Sequence, residues 1–288
     1  MHKNSEFHEL KTPSFIIFTD LDGTLLDNDT YEWEEALPAI NQCKNHSIPL
    51  IIASSKTRAE ISLLRNKMSL SDPFISENGG GIFFQNNFFP EIPEEASFDN
   101  GLWSISLGMQ YSLLVKKLHE IRDDLGIDIK GFSDMSIEEI SERTGLKRED
   151  ALLASLREYD EPFIINEKEA VNNDELIWAI KERGLSITTG GRFYHLHGRN
   201  DKGHAMTQIM SMYKKFRNTA ISIALGDSPN DFSMLKNADH PVLIRSEHDF
   251  YVLKKQIPSL TITRSTGPKA WNDAVLNILR RFPFYDDK

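Results

Sequence analysis

Five residues of this chain carry side chains that could work together on an anion: Asp20, Asp22, Ser54, Lys202 and Asp227. Asp20 and Asp22 stand two apart in Phe15-Ile16-Ile17-Phe18-Thr19-Asp20-Leu21-Asp22-Gly23-Thr24. Strand alternation brings both carboxylates to one side of the backbone. Such a pair can hold a hard cation, attack an electrophile or move a proton. Gly23 then allows a sharp turn. Ser54-Ser55-Lys56-Thr57-Arg58 follows a second apolar run, and hydroxyl and backbone N–H groups at a helix start suit an anion. Lys202, in Asp201-Lys202-Gly203, is a compact point charge. Asp227 lies in Gly226-Asp227-Ser228-Pro229-Asn230-Asp231, residue types that favour turns. Each piece alone is ordinary: an Asp-Gly turn, a Ser/Thr helix cap, a solvated lysine, a loop. Their order along the chain is what points to a site.

The elements that must position these residues read as α/β. Four apolar residues, 15–18, form a buried strand that delivers Asp20 and Asp22 to its carboxyl end, where ligands bind in open α/β sheets. A helix runs from Pro38 to about His46, then a strand over 48–53, a helix to about Met68 and a short strand over 73–75. Ser76-Glu77-Asn78-Gly79-Gly80-Gly81 is a turn whose glycines need unusual dihedrals or allow close approach. Residues 82–84 and 88–89 read as a hairpin across Gln85-Asn86-Asn87.

The texture changes at about Pro90. Residues 90–196 mix an alternating strand (103–107), helices over 112–125, 147–156 and 174–183, and strands over 163–165 and 186–189. Ser136 with Glu139 makes a capping box for a further helix. These strands lack the Asp-tipped ends of the flanks. The block is expected to be an inserted α+β unit. After it come a helix from Asp201 to Lys215, a strand over 219–225, short strands over 241–244 and 260–262, and a last helix from about Pro268. Trp271, Val275 and Ile278 form a core stripe on that helix.

Composition bounds the rest. With 288 residues, 40% of them hydrophobic, the chain can form one large domain or a core with an insert. Cys43 is the single cysteine, so no internal disulfide forms and a buried, inert thiol is expected. The N-terminal residues lack the apolar core of a signal peptide, and no apolar run approaches the ~20 residues that span a bilayer. A cytoplasmic protein without membrane contact is expected. A net charge of −10 with no basic stripe argues against nucleic acid as a partner.

The string Asp20-Leu21-Asp22-Gly23-Thr24-Leu25-Leu26 resembles the first motif of the haloacid dehalogenase (HAD) superfamily of phosphohydrolases. Strand–Asp-x-Asp, strand–Ser, Lys and strand–Gly-Asp-x-x-Asn-Asp follow in the order of that superfamily's four motifs. The resemblance implies a Rossmann-like core with a parallel sheet, 1–89 and 197–288, and a cap, 90–196, that sets substrate specificity. A carboxylate attacking a phosphomonoester dianion needs a cation beside it. Mg²⁺ is therefore expected, held by Asp20, Asp227 and, by resemblance, the Asp22 backbone carbonyl. Asp20 would form an aspartyl phosphate. Asp22 would protonate the leaving alcohol and then activate water. Lys202 and Ser54 would hold the phosphate, with Ser55 as the alternative hydroxyl.

Within the insert, Leu156-Arg157-Glu158-Tyr159-Asp160-Glu161-Pro162-Phe163 and Gly190-Gly191-Arg192-Phe193-Tyr194-His195-Leu196 look like the mannosyl-3-phosphoglycerate phosphatase family. So do Ser54-Ser55-Lys56-Thr57-Arg58 and Gly267-Pro268-Lys269-Ala270-Trp271-Asn272, although Ala270 stands where a glycine is usual and Ser54 where threonine is usual. That family releases phosphate from a glycoside of 3-phosphoglycerate and yields the compatible solute mannosylglycerate. Arginine forks suit a carboxylate or phosphate, so Arg157, Glu158, Gly191, Arg192 and His195, with Asn78, Gly79 and Asn230, are the substrate-binding candidates. The expected partner is a small phosphorylated glycoside, and the expected state a monomer or homodimer. The alternatives are another sugar-phosphate phosphatase, acting on glucosyl-3-phosphoglycerate or on sucrose or trehalose phosphate, and a non-catalytic sugar-phosphate sensor.

Overall fold

The computed structural model describes residues 14–86, 88–166, 173–190, 193–217, 219–247 and 250–282. The chain begins with β1 (Ser14–Thr19), α1 (Leu37–Asn45), β2 (Leu50–Ala53) and α2 (Arg58–Lys67). Then come β3 (Phe74–Ser76), β4 (Gly81–Phe84), β5 (Ser97–Asp99) and β6 (Leu102–Ser106). The middle holds α3 (Tyr111–Leu125), β7 (Ile129–Gly131), α4 (Ile137–Thr144), α5 (Arg148–Ser155), β8 (Asp160–Ile165), α6 (Asn173–Glu182), β9 (Ser186–Gly190) and β10 (Phe193–His197). The chain continues with α7 (Lys202–Lys214), β11 (Ala220–Gly226), α8 (Phe232–Asn237), β12 (His240–Leu243), α9 (Tyr251–Gln256), β13 (Thr261–Ile262) and α10 (Gly267–Leu279).

Among the described residues these strands form two sheets. The large one runs β13-β12-β11-β1-β2-β3-β4-β6-β5 and the small one β7-β8-β10-β9. From β13 to β3 the large sheet is parallel, and β4, β6 and β5 extend it antiparallel. The small sheet is antiparallel throughout.

β1 is continuously apolar because both of its faces are covered. Phe15 and Ile17 face a core with Ile40 of α1, Ile61 of α2 and Trp271 of α10. Ile16 and Phe18 face another with Met206 and Ile209 of α7 and Leu235 of α8. Trp271, Val275 and Ile278 are buried, as the stripe on the last helix requires. Leu114, Leu118 and Ile121 of α3 and Leu176 and Ile180 of α6 cover one face of the small sheet. No helix among the described residues is long and apolar enough to cross a membrane.

Two expectations change. The strand expected at 103–107 lies at 102–106 and pairs with β4, so it belongs to the large sheet although it falls within the insert expected at 90–196. The small sheet begins only at Ile129. Residues 88–89 do not pair with β4 in a hairpin; β4 lies between β3 and β6. Burial of the rings decides this. Phe89 packs edge-on against Phe84 and Tyr213, with centroids 5.1 and 5.4 Å away.

The topology fixes the site. Thr19 at the end of β1 registers with Leu225 of β11 on one side and Ile52 of β2 on the other. The residues that follow these three strands therefore meet at one sheet edge.

Candidate active site

Asp20 is the first residue past β1, and its backbone N–H donates to Leu225 O at 2.9 Å. Lys202, the first residue of α7, is fully buried beneath it. Its Nζ donates to Asp20 Oδ1 at 2.6 Å and to Asp231 Oδ1 at 2.7 Å. The other Asp231 oxygen accepts from the backbone N–H groups of Asp227 and Ser228 at 3.0 and 3.1 Å. Asp231 thus anchors the loop after β11 to the lysine. Burial alone would depress the Lys202 ammonium, but Asp20 and Asp231 outweigh it and hold its pKa above the ordinary lysine value. Burial pushes the Asp20 carboxyl well above the usual range. Lys202 opposes this, while Asp231, Asp227 and Asp22 add to it.

Asp22 lies beside this cluster. Its Oδ2 pairs with Lys56 Nζ at 2.9 Å, and its buried Oδ1 has no hydrogen-bond partner. Gly23 has φ +73°, and a Cβ there would stand 2.8 Å from Asp227 Oδ2. Both the turn and the close approach of Asp227 therefore exclude a side chain. Thr24 Oγ1 donates to Asp227 Oδ1 at 3.2 Å.

Asp20, Asp227 and Asp231 offer carboxylate oxygens within 4.8 Å of one another. Four carboxylates, counting Asp22, face two ammonium groups, Lys56 and Lys202. An all-oxygen donor set with surplus negative charge fits a hard divalent cation.

A cleft of about 1010 Å³ opens above Asp20. Asp20, Asp22, Asn28, Ser55, Asp227 and Asn230 line its floor, and Ile177, Thr188, Thr189, Tyr194 and His195 its far side. Ser55 lines the cleft, whereas Ser54 is buried below it with its Oγ accepting from Lys56 N at 3.2 Å. Asn230 Nδ2 donates to Asn78 Oδ1 at 3.0 Å, joining two of the expected residues. Gly79 (φ +92°) packs on the start of α7, where a Cβ would sit 2.2 Å from Asp201 O. Arg157 and Glu158 line a different cavity with Arg58, whose Nη2 lies 3.1 Å from Glu158 Oε1. Gly191 and Arg192 lie outside the described residues.

Sequence reasoning missed Asp231, Lys56, Asn28, Thr188, Thr189 and Tyr194 as residues of this region. It also missed Asp160, which accepts from His195 Nδ1 at 2.8 Å. A signal for Asp160 was present, since an acid opening the apolar run Pro162-Phe163-Ile164 is a buried charge that needs a partner. Burial would raise the Asp160 carboxyl, but His195 and Arg157 outweigh it and hold it below the usual range.

Glu77 and Asn78 are left-handed at φ 46° and 54°, a conformation that costs a residue with a side chain about 1–2 kcal/mol. What holds them is the buried Glu77 carboxyl, which accepts from Glu158 N at 3.0 Å and Tyr159 N at 2.7 Å. Burial pushes Glu77 from 4.5 up to about 8, with Arg157 pulling it down. A carboxyl raised in the folded state adds stability that is fully present below its unfolded value and lost as pH rises through the folded one. The unfolding free energy of the native chain is therefore expected to fall between about pH 5 and pH 8, by up to ~1.4 kcal/mol per pH unit from this group. Urea unfolding at several pH values should show a flatter profile for Glu77→Gln, whose carbonyl still accepts from both amides.

A family model described as haloacid dehalogenase-like hydrolase matches residues 17–96 and 151–253. The chain is 39% identical over 264 residues to a glucosyl-3-phosphoglycerate/mannosyl-3-phosphoglycerate phosphatase of Methanococcoides burtonii, which spans 92% of this chain and 97% of that protein. It is 35% identical over 231 residues to a mannosyl-3-phosphoglycerate phosphatase of Pyrococcus furiosus, spanning 80% and 90%. Among solved structures, a haloacid dehalogenase-like hydrolase from Bacteroides thetaiotaomicron shares the fold at TM-score 0.61 and 18% identity, over 92% of this chain and 99% of that one. The sucrose-phosphatase of Synechocystis, solved with sucrose and phosphate, does so at TM-score 0.60 and 14% identity, over 94% and 98%.

Proposed function

The chain belongs to the haloacid dehalogenase-like hydrolase family, and from that premise we propose that it is a Mg²⁺-dependent phosphatase of mannosyl-3-phosphoglycerate that yields mannosylglycerate and phosphate. The observation that carries the reading is the Asp20–Lys202–Asp231 bridge, with Asp227 in cation-binding reach and the cleft directly above. The residues of the small sheet and its helices act as a cap over that cleft. Glucosyl-3-phosphoglycerate is the second substrate, because the Methanococcoides burtonii relative carries both names.

A bound Mg²⁺, held by Asp20, Asp227 and the Asp22 carbonyl, supplies positive charge where an anionic nucleophile meets an anionic phosphate. The chain's own residues do the rest. Lys202, committed to Asp20 Oδ1, fixes the carboxylate and leaves Oδ2 for attack on phosphorus. The phosphorus–ester oxygen bond breaks as Asp22 gives the leaving alkoxide a proton. Asp22 Oδ1, buried and without a partner, is the oxygen suited to that transfer. Asp22 then takes a proton from water, which attacks the aspartyl phosphate and restores Asp20. The hydroxyl and backbone N–H of Ser55, which lines the cleft, steady the phosphate, while His195, Tyr194 and Thr188 meet the glyceryl-sugar part.

The test is phosphate release with Mg²⁺ from mannosyl- and glucosyl-3-phosphoglycerate, 3-phosphoglycerate, mannose 6-phosphate and sucrose 6-phosphate. A strong preference for the two glycosyl phosphoglycerates is expected. Broad or hexose-phosphate activity would keep the phosphatase and overturn the substrate.

A further inference from the structure

The resemblance makes Arg157 a residue that reads the substrate, yet it lines the separate cavity with Arg58 and Glu158 and its side chain is 8% exposed. Two of its three guanidinium nitrogens donate inside the protein. Nε donates to Ala154 O at 2.9 Å, and Nη1 to Ser55 O at 2.9 Å and Asp160 Oδ2 at 3.2 Å. That same Asp160 oxygen holds His195 Nδ1 at 2.8 Å. Ser55 follows β2 of the large sheet and His195 belongs to β10 of the small one, and both line the cleft containing Asp20. A second tie runs alongside, from Thr57 Oγ1 to Leu153 O at 2.9 Å.

We infer that Arg157 and Asp160 are positioning residues, a strut that fixes His195 on the cap relative to the Ser55 loop below it. The role rests on the phosphatase reading above. The physical argument is geometric. A planar guanidinium can serve a carbonyl and a carboxylate at set angles, which a single ammonium on a flexible stem cannot. Asp160 in turn orients the imidazole through Nδ1, so the other ring nitrogen is presented in one direction. Ser55 meets the phosphate and His195 the remainder of the substrate, so the strut sets the distance between two recognition points that belong to different sheets.

The test compares Arg157→Lys, Asp160→Asn, His195→Ala and the Asp160→Asn/His195→Ala double variant on glucosyl-3-phosphoglycerate and para-nitrophenyl phosphate. Asp160→Asn and His195→Ala are each expected to lower kcat/KM about tenfold more on the glycosyl substrate than on the small ester, mainly through KM, the scale of one lost hydrogen bond. The double variant should be no worse than His195→Ala alone, because two residues acting through one contact do not add. Arg157→Lys should lower kcat on both esters, since it also releases the Ser55 loop. Losses from Asp160→Asn and His195→Ala that multiply would overturn the strut. So would an Arg157→Lys loss confined to the carboxylate-bearing ester, which would make Arg157 a reader of substrate. Asp160→Asn keeps the size of the side chain but gives up the charge that strengthens its bonds to His195 and Arg157, so its arm decides even where Arg157→Lys fails to fold. A wild-type chain that hydrolyses neither ester overturns the phosphatase reading itself.

Discussion

Asp20→Asn abolishes phosphate release, lowering kcat by at least ~10⁴-fold, the scale on which loss of a covalent nucleophile acts. The substitution keeps the shape of the side chain and an oxygen for Lys202 Nζ, so the β1 edge stays in place. It also removes one negative charge from a buried group of carboxylates that includes Asp22, Asp227 and Asp231. Folding stability should therefore hold or rise while turnover disappears, and KM-independent binding of substrate should persist. Phosphate release and thermal unfolding on the same preparation check both halves. A sensor that merely binds sugar phosphates has no turnover to lose. A variant that keeps a tenth or more of wild-type kcat would exclude Asp20 as the nucleophile.

Lys202→Met is expected to damage both stability and catalysis. The lysine is fully buried between Asp20 and Asp231. Removing it leaves two carboxylates without their cation, and breaking a buried ion pair in this way costs about 3–5 kcal/mol. The sign with pH follows. Asp20, already pushed up by burial, loses the ammonium that opposes that push, so the stability deficit is largest near neutral pH and shrinks as a proton takes the place of the ammonium. Activity should fall about 10²–10³-fold from loss of a preorganised charge at the phosphate. Urea unfolding at two pH values separates this from simple loss of packing, which would give a deficit independent of pH.

The Asp20 and Asp227 positions were legible because each follows an apolar run, and parallel strands carry such residues to a common edge; after β2 it is Ser55, the alternative hydroxyl, that lines the cleft, with Ser54 buried. The paired register of Thr19 with Ile52 and Leu225 is the physical form of that rule. What escaped the sequence depends on contacts across long separations. Nothing local says that Asp231 shares Lys202 with Asp20, or that Arg157 Nη1 donates to both Ser55 O and Asp160. The glycine run at 79–81 announced special backbone, yet two of the left-handed residues are Glu77 and Asn78, held there by a carboxyl that caps amides 81 and 82 positions away. β6 was assigned to the insert because it lacks the acidic tip that follows β1 and β11. β10 was missed as a strand because its polar residues were read as ligands; His195 lines the cleft, and His197 is buried.

If Asp20 carries the phosphoryl group between substrate and water, an aspartyl phosphate forms and then breaks in each turnover. Asp22→Asn should slow the second step, because water then lacks its base, and let the intermediate accumulate. Rapid acid quench of that variant with Mg²⁺ and mannosyl-3-phosphoglycerate, followed by peptide mass spectrometry, reads it directly. A phosphoryl adduct on Asp20 is the expected result. An adduct on another residue, or sustained turnover with none, would contradict it.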